Sequence, residues 1–196
     1  MVTLRSRSTT PASRLALLAC IALMLSLVLA GCTIYTGKVT HYTPSPAGVQ
    51  QRVDCLLSMD ASWPNGPETP QSPSTLMGSV PDGFVPDKVF ICRPAEVAVD
   101  GVSARQVQQE ELAGDFTALL AALAVPSDKG ETNTVCAAMM ELRLGLWLVN
   151  AAGDAVQVAW PTDTCGMTLG KPDTQKAIDA LKIVDVKVIP APMPSK

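Results

Sequence analysis

The chain has 196 residues, of which 47% are hydrophobic and 17% are charged, and its formal net charge is −3. This length fits one modest domain with appendages and excludes a large α/β-barrel enzyme. The single histidine excludes any site that needs two imidazoles, and the slightly acidic balance argues against nucleic-acid binding.

Residues 1–31 have the parts of a secretory signal peptide. Arg5, Arg7 and Arg14 form a basic head without any acidic residue, and a run of sixteen uncharged residues follows. This apolar run is shorter than the roughly 20 residues that a membrane-spanning helix needs. We therefore expect residues 1–31 to direct export and to be removed.

The leader ends in Leu29-Ala30-Gly31-Cys32, which resembles the lipobox of bacterial lipoproteins. The resemblance implies a diacylglycerol thioether on Cys32, cleavage before this residue and, usually, acylation of the new amino terminus. Two or three acyl chains anchor a protein stably, whereas one chain alone binds membranes only marginally. The predicted location is therefore the extracytoplasmic face of the cell membrane.

Two segments separate the lipid from the predicted domain. Residues 32–52 are polar, contain Pro44 and Pro46, and are predicted to form a tether. Residues 53–88 are predicted to be irregular, and in them prolines recur at every third residue from Pro64 to Pro73. That period is the period of polyproline II, and it favours a stiff loop over a ligand of an SH3-type groove.

Residues 89–190 are predicted to form the packed domain. A first hairpin is indicated by valine-rich runs on either side of Asp100-Gly101. Apolar residues with helical spacing predict a helix from Phe116 to Leu123, with Asp115 at its N-cap and Pro126 after its end.

A second hairpin, a helix and a strand complete the predicted domain. Leucines alternate with other residues between 140 and 149, residues 150–154 form a turn, and residues 156–160 return as the second strand. Pro172 and Asp173 open a helix that continues to Leu181. Residues 183–189 form the last strand, and residues 191–196 are a tail. The simplest fold is α+β, an antiparallel sheet with two helices packed on one face.

The six cysteines divide by position. Cys20 leaves with the leader, and Cys32 takes the lipid. Four remain in the exported part: Cys55, Cys92, Cys136 and Cys165. An even number in an exported domain predicts two disulfides, which allow three connectivities. No two of the four have CxxC spacing, which disfavours a metal site or a redox pair.

The second hairpin favours one of these connectivities. Cys136 precedes the predicted turn and Cys165 follows it at a similar distance, so both are expected at the open end of the hairpin. By elimination, Cys55 pairs with Cys92 and ties the proline-rich segment to the sheet.

Candidate catalytic residues are few. His41 lies in the predicted tether, which cannot hold a catalytic base rigidly, so we interpret it as a solvated linker histidine. Asp163 is the best isolated carboxylate for a small hydrolase, although the sequence marks no partner for it. Because no phosphate-binding glycine pattern is present, we expect no cofactor and no metal.

The three tryptophans are candidates for a ligand surface. Trp147 falls on the more polar face of its predicted strand, opposite the leucines, and is the strongest candidate. Trp160 shares a face with Val156 and Val158 and is interpreted as a core residue, whereas Trp63 lies in the proline-rich segment.

Together these features predict a lipid-anchored, non-catalytic binding or envelope-associated module. Its partner would be an envelope protein, a glycan or a lipid. The alternatives are a carboxylate-dependent hydrolase that uses Asp163, or an inhibitor or chaperone of a secreted enzyme. In its Ala-rich composition and Cys-hairpin-Cys pattern the chain resembles the small four-cysteine lipoproteins of actinobacteria, a resemblance that implies no function.

Anchoring through Cys32 has a direct test. Replacement of Cys32 by Ala removes the thiol that accepts the lipid, so the protein is expected in the soluble fraction after cells are broken. Fractionation followed by immunoblotting measures this, and continued membrane attachment of the variant would contradict the assignment.

Overall fold

The structure is a computed structural model that describes residues 38–60, 76–99, 102–131, 134–139 and 141–190. The predicted signal peptide, Cys32, Trp63, the periodic prolines and the tail lie outside the described residues. Within the described residues, no helix has the length and apolar character needed to cross a membrane.

The described part of the chain contains two antiparallel sheets and three α-helices. The strands are β1 (Thr40–Tyr42), β2 (Val49–Gln50), β3 (Pro86–Val99), β4 (Val102–Ala113), β5 (Ser127–Lys129), β6 (Gly145–Asn150), β7 (Ala155–Val158) and β8 (Lys182–Pro190). The helices are α1 (Cys55–Asp60), α2 (Thr117–Leu123) and α3 (Asp173–Asp179). The larger sheet has the strand order β2-β7-β6-β3-β4-β8, and β1 pairs with β5. The predicted α+β class is confirmed.

The first predicted hairpin is confirmed, but its strands are much longer than the sequence indicated. Strands β3 and β4 pair from Val99 opposite Val102 to Val89 opposite Leu112. The second half of β4 is rich in glutamine and glutamate, which are uncommon in strands and hid its extent. Glu110 is buried and is tolerated because Arg93 pairs with it at 3.0 Å, whereas the glutamines beside it are half-buried.

The predicted strand over residues 140–149 is only half correct. Strand β6 begins at Gly145, and residues 141–144 have no regular secondary structure. The side chains of Glu141 and Arg143 bond to the 166–169 loop, so this segment is held by that loop and not by a neighbouring strand.

One face of the larger sheet carries α2 and α3, as predicted. Inward-pointing residues from four strands pack there against Leu119, Leu123 and Ile178 of the helices. The strand residues are Val89, Ile91, Leu112, Leu146, Leu148, Val156 and Val158. Burial of each large aliphatic side chain stabilises the fold by about 1.5 to 3 kcal/mol, which makes this cluster the main core.

The opposite face is covered by α1, a helix that lies within the segment predicted to be irregular. Asp54 caps it, because its Oδ1 accepts the backbone N–H of Leu57 at 3.0 Å. A Cβ at Gly145 would lie 2.7 Å from Cβ of Ser58, so only glycine lets α1 approach β6 this closely. The helix is thereby held flat against the centre of the sheet.

The predicted C-terminal boundary of the tether, at residue 52, lies too far along the chain. Residues 40–42 form β1, residues 49–50 form β2 on the edge of the larger sheet, and Ala47 between them is buried. The two strands are short and half exposed, so their composition is as polar as that of a linker. The second half of the 32–52 segment therefore belongs to the domain.

Both predicted disulfides are present, Cys55–Cys92 and Cys136–Cys165. Cys55 and Cys92 are buried between α1 and the sheet, whereas Cys136 is exposed and Cys165 is half-buried. On the loop-entropy account each bond stabilises the fold by about 4 kcal/mol. The two bonds therefore contribute similar stability but differ in access to solvent.

This difference predicts the order of reduction. Under native conditions a water-soluble phosphine should reduce Cys136–Cys165 first, because a reductant must reach the sulfur atoms. Alkylation followed by peptide mass spectrometry should find label on Cys136 and Cys165 before any on Cys55 and Cys92. Labelling of all four cysteines at one rate would contradict this order.

Candidate functional site

A cleft lies where the second hairpin ends and α3 begins. It has a volume of about 310 Å³. Ten residues line it: Glu141, Leu142, Arg143, Leu144, Trp160, Thr168, Leu169, Pro172, Gln175 and Lys176. We call it the Trp160 cleft.

The walls of the Trp160 cleft are largely apolar and open to solvent. Leu142 is 57% exposed and Leu169 is 67% exposed, which is high for leucine. Trp160 is half-buried and packs against the main core, which confirms its interpretation as a core residue. Its Nε1 is buried and has no acceptor among the described residues. An apolar cleft with a few polar groups is the usual form of a small-molecule site.

Glu141 closes one end of the cleft by holding the 168–169 backbone. Its carboxylate accepts hydrogen bonds from the N–H of Thr168 at 2.9 Å, from the hydroxyl of Thr168 at 2.5 Å and from the N–H of Leu169 at 3.2 Å. Burial on its own would raise the pKa of Glu141, but these hydrogen bonds and the guanidinium of Arg143 lower it overall. The carboxylate therefore fixes the loop and stays ionised, with the guanidinium of Arg143 at 3.5 Å as its counter-charge.

Two exposed cations flank the apolar walls. The guanidinium of Arg143 lies 3.5 Å from Glu141 and also donates to the carbonyl of Gly166. The ammonium of Lys176 lies 2.9 Å from Asp173 on the same helix, in a fully solvated pair. Solvated pairs of this kind contribute little, so Lys176 can exchange its partner easily.

Asp163 has a structural role in the loop beneath the cleft. Its Oδ1 accepts the N–H of Cys165 at 2.8 Å and that of Met167 at 2.9 Å. The loop turns at Gly166, whose φ of 72° is readily adopted by glycine. The Cys136–Cys165 disulfide fixes the same loop to the 134–139 segment. The carboxylate of Asp163 therefore shapes the loop.

Trp147 is not part of a ligand surface, contrary to the sequence prediction. Its side chain is 0% exposed, and its Nε1 donates to the Oγ of Ser58 at 2.7 Å. Strand β6 lies between β3 and β7, and α1 covers the face on which Trp147 lies. The predicted polar face of this strand is in fact a second buried face.

His41 is held on β1 and is not a free linker residue. Its Nδ1 lies 2.8 Å from Oδ1 of Asp128, and the ammonium of Lys171 lies 2.8 Å from the other oxygen. Hydrogen bonds from Lys171 and then from His41 lower the pKa of Asp128. Within the described residues, His41 forms no hydrogen bond with a serine, threonine or cysteine that it could activate.

The sequence did not reveal the residues of the Trp160 cleft because it assigned most of them to other roles. Residues 141–144 were placed in a regular strand, and Trp160 was interpreted as a core residue, whereas it both packs on the core and lines the cleft. The one available signal was the pair of opposite charges that interrupts a run of leucines. In the structure, Glu141 and Arg143 hold the 166–169 loop.

Comparison with protein families, with curated proteins and with solved structures finds no match to this chain. Among the described residues, no group of three or more His, Cys, Asp or Glu is placed to hold a metal ion. The geometry of the Trp160 cleft is therefore the basis for the functional proposal.

The role of Glu141 predicts acid sensitivity of the cleft. Because its pKa is lower in the folded than in the unfolded chain, Glu141 stabilises the fold above its unfolded value of about 4.3, and this contribution is lost as the pH falls through the folded value. In Glu141→Gln, the free energy of unfolding should therefore fall less between about pH 6 and pH 3 than in the unaltered chain.

Urea denaturation at several pH values measures this effect. Glu131→Gln is the matched control, because the carboxylate of Glu131 is exposed and, among the described residues, accepts one hydrogen bond, from the N–H of Lys38 at 3.2 Å. The control should retain the full pH dependence of the unaltered chain. Equal pH profiles for Glu141→Gln and the unaltered chain would show that Glu141 does not hold the loop.

Proposed function

We propose that this chain is an exported, lipid-anchored binding module that acts without catalysis and takes an apolar ligand with an anionic group in the Trp160 cleft. The observation that carries the proposal is the combination of exposed leucines and exposed cations around one enclosed cleft. The lipobox at Cys32 supplies the anchor, and the two disulfides suit the oxidising conditions outside the cytoplasm.

The exposed side chains of Leu142 and Leu169 indicate that part of the ligand is apolar. Leucines on either side of a cleft lose contact with water when an apolar group enters, and each square ångström removed from water contributes about 25 cal/mol. A cleft of about 310 Å³ is at the lower limit of ligand sites. It therefore fits one ring system or a short acyl segment.

The exposed cations beside the cleft indicate the anionic group of the ligand. The carboxylate of Glu141 is engaged by backbone N–H groups, while Arg143 and Lys176 are half or more exposed. An anion at the mouth of the cleft would meet both cations and gain charge-assisted hydrogen bonds. Lipids and small organic acids of the cell envelope have this combination of an apolar body and a negative group.

The wider depression of the described surface fits such a ligand less well. Its volume is about 460 Å³, and it lies between the 81–85 and 150–154 turns. Its charged residues are Asp82 and Asp154, which repel anions. It supplies a matched control surface, because Val85 in its wall is 75% exposed.

A pair of fluorescent probes tests the proposal. Anilinonaphthalene sulfonate and N-phenylnaphthylamine share an apolar body, but only the first carries a sulfonate. The chain from Thr33 onward, which lacks the apolar leader and the lipid, should bind both, and Leu142→Asp should weaken both by about tenfold or more, since a carboxylate in the wall opposes apolar burial. Val85→Asp should leave both affinities unchanged.

A Lys176 variant tests whether a cation beside the cleft binds the negative group of the probe. Lys176→Glu should weaken binding of the sulfonate probe and leave the neutral probe unaffected, because only the sulfonate meets the cation. Lys182→Glu, which changes an exposed lysine outside the cleft, is its control. Equal affinities in the Leu142→Asp and Val85→Asp variants would place the probe elsewhere and overturn the proposal.

A further inference from the structure

The two edges of the larger sheet are very unequal. At one edge lies β2, which has two residues, and at the other lies β8, which has nine. Within the described residues, no strand pairs with the outer side of β8. A long edge strand presents a row of unpaired N–H and C=O groups, which makes it a template for pairing with another strand.

The exposed side chains of β8 are unusually apolar for such an edge. Four aliphatic residues are each 48 to 53% exposed: Ile183, Val184, Val186 and Val188. Val186 and Val188 lie opposite Glu110 and Gln108 of β4, beyond the part of the sheet that α2 and α3 cover. The strand therefore keeps an apolar stripe in water along an open edge.

Two charged residues of β8 also lack a partner. Asp185 and Lys187 flank Val186 and form no ion pair with any side chain of the described residues. Asp185 lies directly opposite Glu111 of β4, a pairing of like charges that is unfavourable. Glu111 itself is paired with Lys88 at 3.0 Å, so Asp185 has no compensating cation within the sheet.

We propose that β8 pairs antiparallel with the β8 strand of a second copy of this chain, about a two-fold axis at Val186. In this register Asp185 lies opposite the second copy's Lys187, and the reverse pair forms by symmetry. Asp185, Val186 and Lys187 form the regular centre of this ladder, and Val188 lies toward Val184. Val184 is the residue at which β8 bulges, because Asp185 and Ile183 pair with the consecutive Glu111 and Leu112 of β4. Pro190, which has no N–H to donate, falls at the end of the ladder, where none is needed.

The charges single out this register from its neighbours. Because the axis is perpendicular to the sheet, the symmetry keeps each side chain on its own face, so one residue of the strand must lie opposite its own copy. An axis at Asp185 would oppose two aspartates, and an axis at Lys187 would oppose two lysines. An axis at Val184 or Val188 would leave both charges opposite apolar residues. Only the axis at Val186 pairs both charges and the valines together.

The partner is a second copy because the edge is complementary to itself. A partner with a different sequence would have to supply the same alternation of aliphatic, acidic and basic residues in the reverse direction. Pairing at β8 joins two six-stranded sheets into one continuous sheet and removes the only long open edge of the described structure. The opposite edge is too short to compete.

Sedimentation of the full chain, in detergent micelles where its anchor requires them, tests the proposal. The unaltered chain should sediment as two copies. Asp185→Lys and Lys187→Asp should each weaken the dimer by about tenfold or more, because each places like charges opposite one another twice. An equimolar mixture of the two variants should form a heterodimer in which every charge is paired again.

Lys182→Asp is the control, because Lys182 lies beyond the bulge of β8, outside the paired centre, and should not affect the dimer. Recovery in the mixture also shows that both single variants are folded. A monomer at about 100 µM would overturn the proposal, as would a dimer that both charge reversals leave unchanged. Failure of the two variants to combine would overturn the register. None of these results depends on ligand binding in the Trp160 cleft.

Discussion

The coverage of the centre of β3 and of β6 on both faces is the constraint from which the rest of the structure follows. Residues 89–92 of β3 and 145–148 of β6 lie in the middle of the sheet, so their side chains must be apolar or hydrogen-bonded on either side. Helices α2 and α3 cover one face, and α1 covers the other. Because α1 is only six residues long, its position depends on Cys55–Cys92 and on the bond from Trp147 to Ser58.

The Trp160 cleft exists because this sheet ends asymmetrically. Pairing between β3 and β6 stops at Cys92 opposite Gly145, while β3 continues with β4 alone. The residues before Gly145 therefore leave the sheet, and Glu141 and Cys136 attach them to the 163–169 loop. Leu142 is exposed to solvent because the chain leaves the sheet here. The Cys136–Cys165 disulfide and the carboxylate of Glu141 hold this segment in place. Leu142 therefore keeps its position without being buried itself, which suits it for contact with a ligand.

Local periodicity predicted the elements that have one buried side. The helices at Leu119 and Ile178 show a single apolar stripe, and the pairing of Cys136 with Cys165 followed from the hairpin between them. Strand β8 was predicted by the same alternation, although its aliphatic side chains are exposed. Periodicity could not show that Trp147 is buried, because alternation in the sequence does not reveal that both faces of a central strand are covered by helices. The Asp54 cap could have indicated α1, but the prolines that follow it favoured a loop. His41 and β1 were hidden because a short edge strand has the composition of a linker.

The cleft and the free edge are connected through α3. This helix contributes Gln175 and Lys176 to the cleft, and two residues after its end the chain enters β8. A second strand bonded to β8 would fix the strand that follows α3 in the chain, and a more rigid α3 would hold one wall of the cleft. Binding sites on elements that are locked by their surroundings lose less freedom when a ligand enters. A dimer at β8 would then increase the affinity of both clefts without contributing a single contact to either ligand.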